Sequence, residues 1–215
     1  MKVYEAVLDQ LLGAGVSHFA GMVGSTSAPY ASALAAQNQA RYVGIRHEQV
    51  AAAILDATAR LSGQPGCLMV HGGSGLLAAS LGIGSAALDC TPMVVLSATQ
   101  ERKAMENGWW QTLDVQKPVA DFVKFQTRVE RPDQAVAAVR DALRASVSGK
   151  PGVAQIDIPI DVSTDELGTD DVPAPVRLAT PHIRSFPDPG LVEKAADLLA
   201  RAQRPVLLIG GGANY

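Results

Sequence analysis

Two side chains in this sequence are placed to move protons. Glu48 stands in Arg46-His47-Glu48-Gln49, and His71 opens His71-Gly72-Gly73-Ser74-Gly75. Each follows an apolar run that reads as a strand. An imidazole titrates near neutrality and serves as acid and base. A carboxyl at a helix start is drawn toward its anion by the helix dipole, and burial draws it toward the neutral acid. Each residue also has a plain structural reading. Glu48 caps a helix in that case, and His71 is a loop histidine bonded to backbone. Gly24, Gly73 and Gly75 let backbone come close to a ligand. The Gly73-Ser74-Gly75 piece lacks the Lys-Ser/Thr of a P-loop and the third glycine of a dinucleotide fingerprint.

The elements that must position these groups follow from hydrophobic patterning. Apolar runs at Tyr42–Ile45, Cys67–Val70 and Met93–Ser97 alternate with helix-like runs at Glu48–Leu61 and Leu76–Leu88. This βαβαβ pattern predicts an α/β fold, a parallel sheet with helices on both faces. In such open sheets ligands bind beyond the carboxyl ends of the strands, where Glu48 and His71 fall.

The rest of the chain extends the pattern. Helices are expected at Val3–Leu12, Ala28–Gln37 and Asp133–Ser146, with strands at Ser17–Ala20 and Val153–Ile158. Gly21–Ser27 reads as a loop. Asp161–Gly190, with Pro173, Pro175, Pro181, Pro187 and Pro189 and acids at Asp165, Glu166, Asp170 and Asp171, reads as a linker over the surface. A helix over Leu191–Arg201 and a strand over Pro205–Ile209 are expected after it. The domain reading is 1–165, a linker at 166–190, and the beginning of a second α/β domain at 191–215.

Of 215 residues, 47% are hydrophobic and 18% charged, enough for an ordinary core. A net charge of -3 gives no basic footprint for nucleic acid. Cys67 and Cys90 read as a reduced, buried pair without metal-ligand spacing. No signal peptide or membrane-length apolar run is visible, so no membrane partner is expected and a cytoplasmic location is the default.

The ordered set of motifs resembles the pyrimidine-binding domain of thiamine-diphosphate (ThDP) enzymes, in the acetolactate synthase and benzoylformate decarboxylase group. The residues that carry the resemblance are Arg46-His47-Glu48-Gln49-Val50-Ala51-Ala52-Ala53, Gly73-Ser74-Gly75 and Asp89-Cys90-Thr91-Pro92. Lys150–Pro159 is similar to the family's closing strand, and residues from Leu191 to the opening of its central domain. The family's Phe-Gly-x-Pro-Gly becomes Ala20-Gly21-Met22-Val23-Gly24 here, without the proline.

The resemblance implies ThDP-dependent cleavage or formation of a C–C bond in a 2-oxo acid, through a thiazolium ylid. It casts Glu48 as the partner of the cofactor's aminopyrimidine and His71 as a proton donor and acceptor for a substrate oxygen. Gly24, Gly73 and Gly75 would lie along the cofactor. Ser25 would meet the substrate carboxylate, or else be a turn serine. Gln111 would lie near the substrate. His47 either orients the site or fills space. Trp109 and Trp110 would wall the substrate, or serve a core or an interface. Mg²⁺ would be bound by a domain absent from this sequence, since the family's Gly-Asp-Gly does not occur in it. Expected partners are a 2-oxo acid, and either a second copy in a dimer or tetramer or a separate diphosphate-binding subunit. A non-catalytic ThDP-family domain working in binding or assembly is the alternative. An unrelated α/β nucleotide-binding protein is a third reading.

Overall fold

A computed structural model describes residues 1–168, 172–178 and 186–214. In chain order the elements are α1 (Val3–Gly13), β1 (His18–Gly21), α2 (Ala28–Ala35), β2 (Arg41–Gly44), α3 (Glu48–Ser62), β3 (Gly66–His71) and α4 (Gly72–Leu88). Next come β4 (Met93–Thr99), α5 (Arg102–Glu106), β5 (Phe125–Arg128), α6 (Ala135–Val147), β6 (Val153–Pro159), α7 (Ile160–Ser163) and α8 (Pro189–Arg201). The six strands form one sheet in the order β2-β1-β3-β4-β6-β5. Every pairing is parallel.

Of the four inner strands, β3, β4 and β6 are buried almost end to end. That is why they read as continuous apolar runs. Alternate residues feed two cores. Cys67, Met69 and Leu96 face Val7, Leu11, Tyr30 and Leu143 from α1, α2 and α6. Leu68, Val70 and Val95 face Ala52, Leu55, Leu76 and Ile83 from α3 and α4. The expected parallel sheet with helices on both faces is therefore present.

Helix α3 carries its signals at both ends. His47 caps it, with Nδ1 accepting the Gln49 N–H at 3.3 Å. Gly63 closes it in the left-handed region at φ 68°. Its buried stripe is Glu48, Ala51, Ala52, Leu55 and Ala59, at the i+3 and i+4 spacing of one helical face. The same spacing that buries the alanines thus carries Glu48 inward. Against this face lies α4. A Cβ added at Gly82 would stand 2.5 Å from Ala52 Cβ, so small residues are what let the two helices pack this close.

Several expectations need correction. The helix expected over Leu76–Leu88 begins earlier: α4 starts at Gly72, and Gly73-Ser74-Gly75 lie in its first turn. Cys67 is buried but Cys90 only half-buried, and both are free. Pro205–Ile209 forms no strand, and Val206, Leu207, Leu208 and Ile209 are exposed. The edge strand β5 and the short helices α5 and α7 were not expected. Within the proline-rich stretch residues 173–177 are exposed, but the chain on either side of them is tied down. Leu167 N–H donates to Met1 O at 2.9 Å and Leu178 N–H to Ala14 O at 3.0 Å, with both leucines buried. Asp170, Asp171 and Pro181 lie outside the described residues. Helix α8 is present and buries none of its residues.

Candidate functional site

The site is built at the carboxyl ends of β1, β3 and β4, around the first turn of α4. Glu48 approaches that turn from one side. It is 8% exposed, and among the described residues its carboxyl has no hydrogen-bond partner. A Cβ at Gly75 would lie 3.1 Å from Glu48 Oε1, so any larger residue there would push the carboxylate aside by a few tenths of an ångström.

His71 ends β3 and immediately precedes α4. Its Nδ1 lies 2.6 Å from Thr26 Oγ1. The Thr26 N–H donates to the same nitrogen at 3.4 Å. The Thr26 hydroxyl donates to Ala98 O at the end of β4. On the other side of the ring, Nε2 lies 2.7 Å from Gln111 Oε1. Gln111 Nε2 donates to Ser74 Oγ at 3.1 Å, which returns the network to the first turn of α4. Gln111 holds φ at 60°, the left-handed region that a non-glycine residue seldom adopts.

The expected site residues therefore separate into groups. His71 and Gln111 are joined directly, and Glu48 and Gly75 meet. At Gly24 an added Cβ would stand 2.3 Å from His71 Cγ, and at Gly73 2.3 Å from Leu113 Cβ. Close packing within this chain accounts for both glycines. Ser25 is exposed, whereas its neighbour Thr26 is buried and reaches His71. His47 is occupied as the cap of α3. Trp109 and Trp110 are 68% and 77% exposed and wall nothing in this chain.

Sequence reading missed Thr26 and Ser74, and also a polar cluster at the same end of the sheet. Thr99 Oγ1 donates to Asp157 Oδ1 at 2.6 Å, and Arg128 Nε to Asp157 Oδ2 at 2.5 Å. Burial pushes the Asp157 carboxyl above its usual range, against the pull of those two donors. An apolar run interrupted by one Asp was the available signal. Among the described residues no group of three or more His, Cys, Asp or Glu is placed to hold a metal ion. No described helix is long and apolar enough to cross a membrane.

Comparisons with known proteins agree with this fold. Residues 1–118 match the family model for the thiamine pyrophosphate enzyme, N-terminal TPP binding domain. The chain is 30% identical over 214 residues to a probable acetolactate synthase large subunit of Methanocaldococcus jannaschii, covering 99% of this chain and 36% of that protein. It is 31% identical over 178 residues to oxalyl-CoA decarboxylase of Escherichia coli, covering 81% of this chain and 32% of that protein. This chain thus spans about a third of the length of such relatives. The fold superimposes on the ThDP-dependent 4-hydroxybenzoylformate decarboxylase of Rhodococcus jostii with a TM-score of 0.86 at 19% identity, over 96% of this chain and 38% of that one. The match over residues 1–118 and the identity to these relatives place the protein in the thiamine pyrophosphate enzyme family, through its N-terminal TPP-binding domain.

Proposed function

We infer that this chain supplies the pyrimidine-binding half of a ThDP site, in an enzyme that breaks or forms a C–C bond of a 2-oxo acid. The observation that carries the reading is Glu48, a largely buried residue whose carboxyl lies beside Gly75 and makes no hydrogen bond among the described residues. A weakly basic ring nitrogen of an aminopyrimidine has the chemistry to be that partner. When bound, ThDP supplies an electron sink for the pair released as the bond breaks. Glu48 would hold the pyrimidine and share a proton with it. Gly75 would leave room for the contact, and Gly24 and Gly73 would keep neighbouring backbone close. His71 would give and take a proton at a substrate oxygen, with Gln111 beside it and Ser25 near the substrate carboxylate. The names of the relatives, a synthase and two decarboxylases, support this class of reaction.

The diphosphate and its Mg²⁺ would be held outside this chain, by a further domain or a separate subunit. Residues 191–215 would begin a central α/β domain after a linker at 166–190. The exposed apolar residues Leu77 and Leu81 on α4 and Val50 on α3 favour a dimer or a tetramer. A cytoplasmic location goes with this reading.

The test is Glu48→Gln in the complete enzyme. It keeps size and one hydrogen bond and removes the proton. Exchange of the cofactor's C2 proton for deuterium, followed by NMR, should slow by orders of magnitude. The melting temperature should change little, because the helix-start charge contributes only about 0.3–1 kcal/mol. Normal exchange with normal melting would overturn the role of Glu48.

A further inference from the structure

A second polar cleft opens at the far edge of the sheet. Arg128 ends β5, and the strand order places it three strands away from β3 and His71. At about 4.8 Å per strand that is roughly 14 Å. The cleft there has a volume of about 190 Å³ and is lined by Met105, Thr112, Leu113, Asp114 and Arg128. Clefts for drug-sized ligands run to about 300–1,000 Å³, so this one suits a molecule of a few heavy atoms.

The Arg128 guanidinium is anchored on one side and unsatisfied on another. Asp157 is wholly buried, and its Oδ2 accepts from Arg128 Nε at 2.5 Å. Thr99 Oγ1 donates to its other oxygen at 2.6 Å. A guanidinium tied to a buried carboxylate in this way holds its planar fork in one orientation. Nη2, in contrast, is buried and makes no hydrogen bond among the described residues. An Asp114 oxygen stands 3.6 Å from it, close enough for an ion pair and too far for a hydrogen bond. Asp114 has a second cation to turn to, since Lys117 Nζ lies 3.3 Å from its Oδ2. A buried donor without an acceptor is unfavourable, so the cleft is short of one well-placed acceptor oxygen.

We propose that this cleft is a carboxylate site, in which a small apolar monocarboxylic acid takes the place of Asp114 on Arg128. The ligand's carboxylate would accept charge-assisted hydrogen bonds from the open side of the guanidinium. Asp114 would keep Lys117 as its partner. It has to leave Arg128, because Asp157 already balances that charge and two further carboxylates on one guanidinium repel each other. Met105 and Leu113 would cover a short apolar tail. Thr112 gives the ligand no donor, because its hydroxyl donates to Trp109 O. The site is separate from Glu48 and His71, and the inference does not rest on the function proposed for them.

The test is ¹H–¹⁵N NMR of the 215-residue chain, titrated with sodium propionate and, at equal ionic strength, with sodium chloride. The Asp114 amide and the indoles of Trp109 and Trp110 report on the segment that borders the cleft. Propionate should shift them saturably, and chloride should not. Asp114→Asn removes the competing carboxylate and should tighten propionate binding about two- to fivefold, the share of an exposed ion pair. Arg128→Lys keeps the charge and loses the fork, and should weaken binding about fivefold or more. Shifts with propionate no larger than those with chloride would overturn the proposal. So would binding by Asp114→Asn no tighter than by the wild type, a result that decides even if Arg128→Lys does not fold. Sodium pyruvate separates 2-oxo acids from other small acids as the source of the carboxylate, and it should bind as tightly as propionate. Binding of pyruvate without binding of propionate would mean that the oxo group is read, and would overturn a site built on the carboxylate alone.

Discussion

Glu48 and Gly75 depend on each other, and that dependence can be tested one methyl group at a time. Gly75→Ala puts a carbon 3.1 Å from Glu48 Oε1. The helix itself gains, since alanine is better than glycine by roughly 1 kcal/mol. The expected result is a melting temperature at or near that of the wild type, with ThDP affinity in the complete enzyme lowered at least tenfold by calorimetry. Gly24→Ala should behave in the opposite way. Its new carbon would stand 2.3 Å from His71 Cγ, which cannot move far with both ring nitrogens engaged. A loss of about 1–3 kcal/mol in stability is expected, read by denaturant unfolding. At this scale the sequence was legible where a residue type is rare in its setting. An acid in line with Ala51, Ala52 and Leu55 stands out, and so does a histidine after a buried strand. Ser25-Thr26-Ser27 offers three hydroxyls in a row, and nothing in their order tells which one the loop turns inward. The neighbouring packing of His71 and Ala98 makes that choice.

Between β4 and β5, the segment around Gln111 is where an element could act. Its backbone holds left-handed angles at Gly108 and Gln111. Its tether to the site is the Gln111 carboxamide, which occupies His71 Nε2 as a substrate oxygen would. Trp109 and Trp110 are the chain's two tryptophans and sit just before the tether. Tryptophan emission therefore reports on this segment alone. His71→Ala should release it, with a measurable rise in acrylamide quenching of the ligand-free chain. Quenching that is identical in both proteins would show that the tether does not hold the segment. The inner strands were legible because burial on both faces writes an unbroken apolar run. Strand β5 was not, because Phe125-Gln126-Thr127-Arg128 lies at the sheet edge and is half-buried throughout. Nor was the start of α4. Gly72-Gly73-Ser74-Gly75 has poor helix propensity, and contacts with Leu113 and Glu48 override it.

Across the molecule, the first residues are closed by the last of the sheet domain. The Met1 ammonium donates to Leu167 O at 3.1 Å, and Lys2 Nζ lies 2.8 Å from Glu166 Oε1. Gln10 Nε2 donates to Pro173 O at 2.9 Å. Helix α8, in contrast, buries nothing. A chain cut after residue 178 should therefore melt at the temperature of the whole chain. A cut after residue 163 removes the burial of Leu167 and Leu178 and should cost about 3–6 kcal/mol, at roughly 1.5–3 kcal/mol for each leucine. Thermal denaturation of the two truncations side by side checks both. Equal melting would mean that the strap contributes nothing.

The all-parallel sheet also has a consequence during synthesis. Parallel neighbours need long crossovers, so no hairpin is available to start this sheet. Strand β4 has its neighbour β3 ahead of it in the chain, but its other neighbour is β6, which follows β5 and α6. At about 5–20 residues translated per second, that edge waits roughly 3–12 s for its partner. Met93–Thr99 is wholly buried once folded, so during that interval the nascent chain displays an apolar strand edge bare. A ribosome-associated holdase would find its binding segment there.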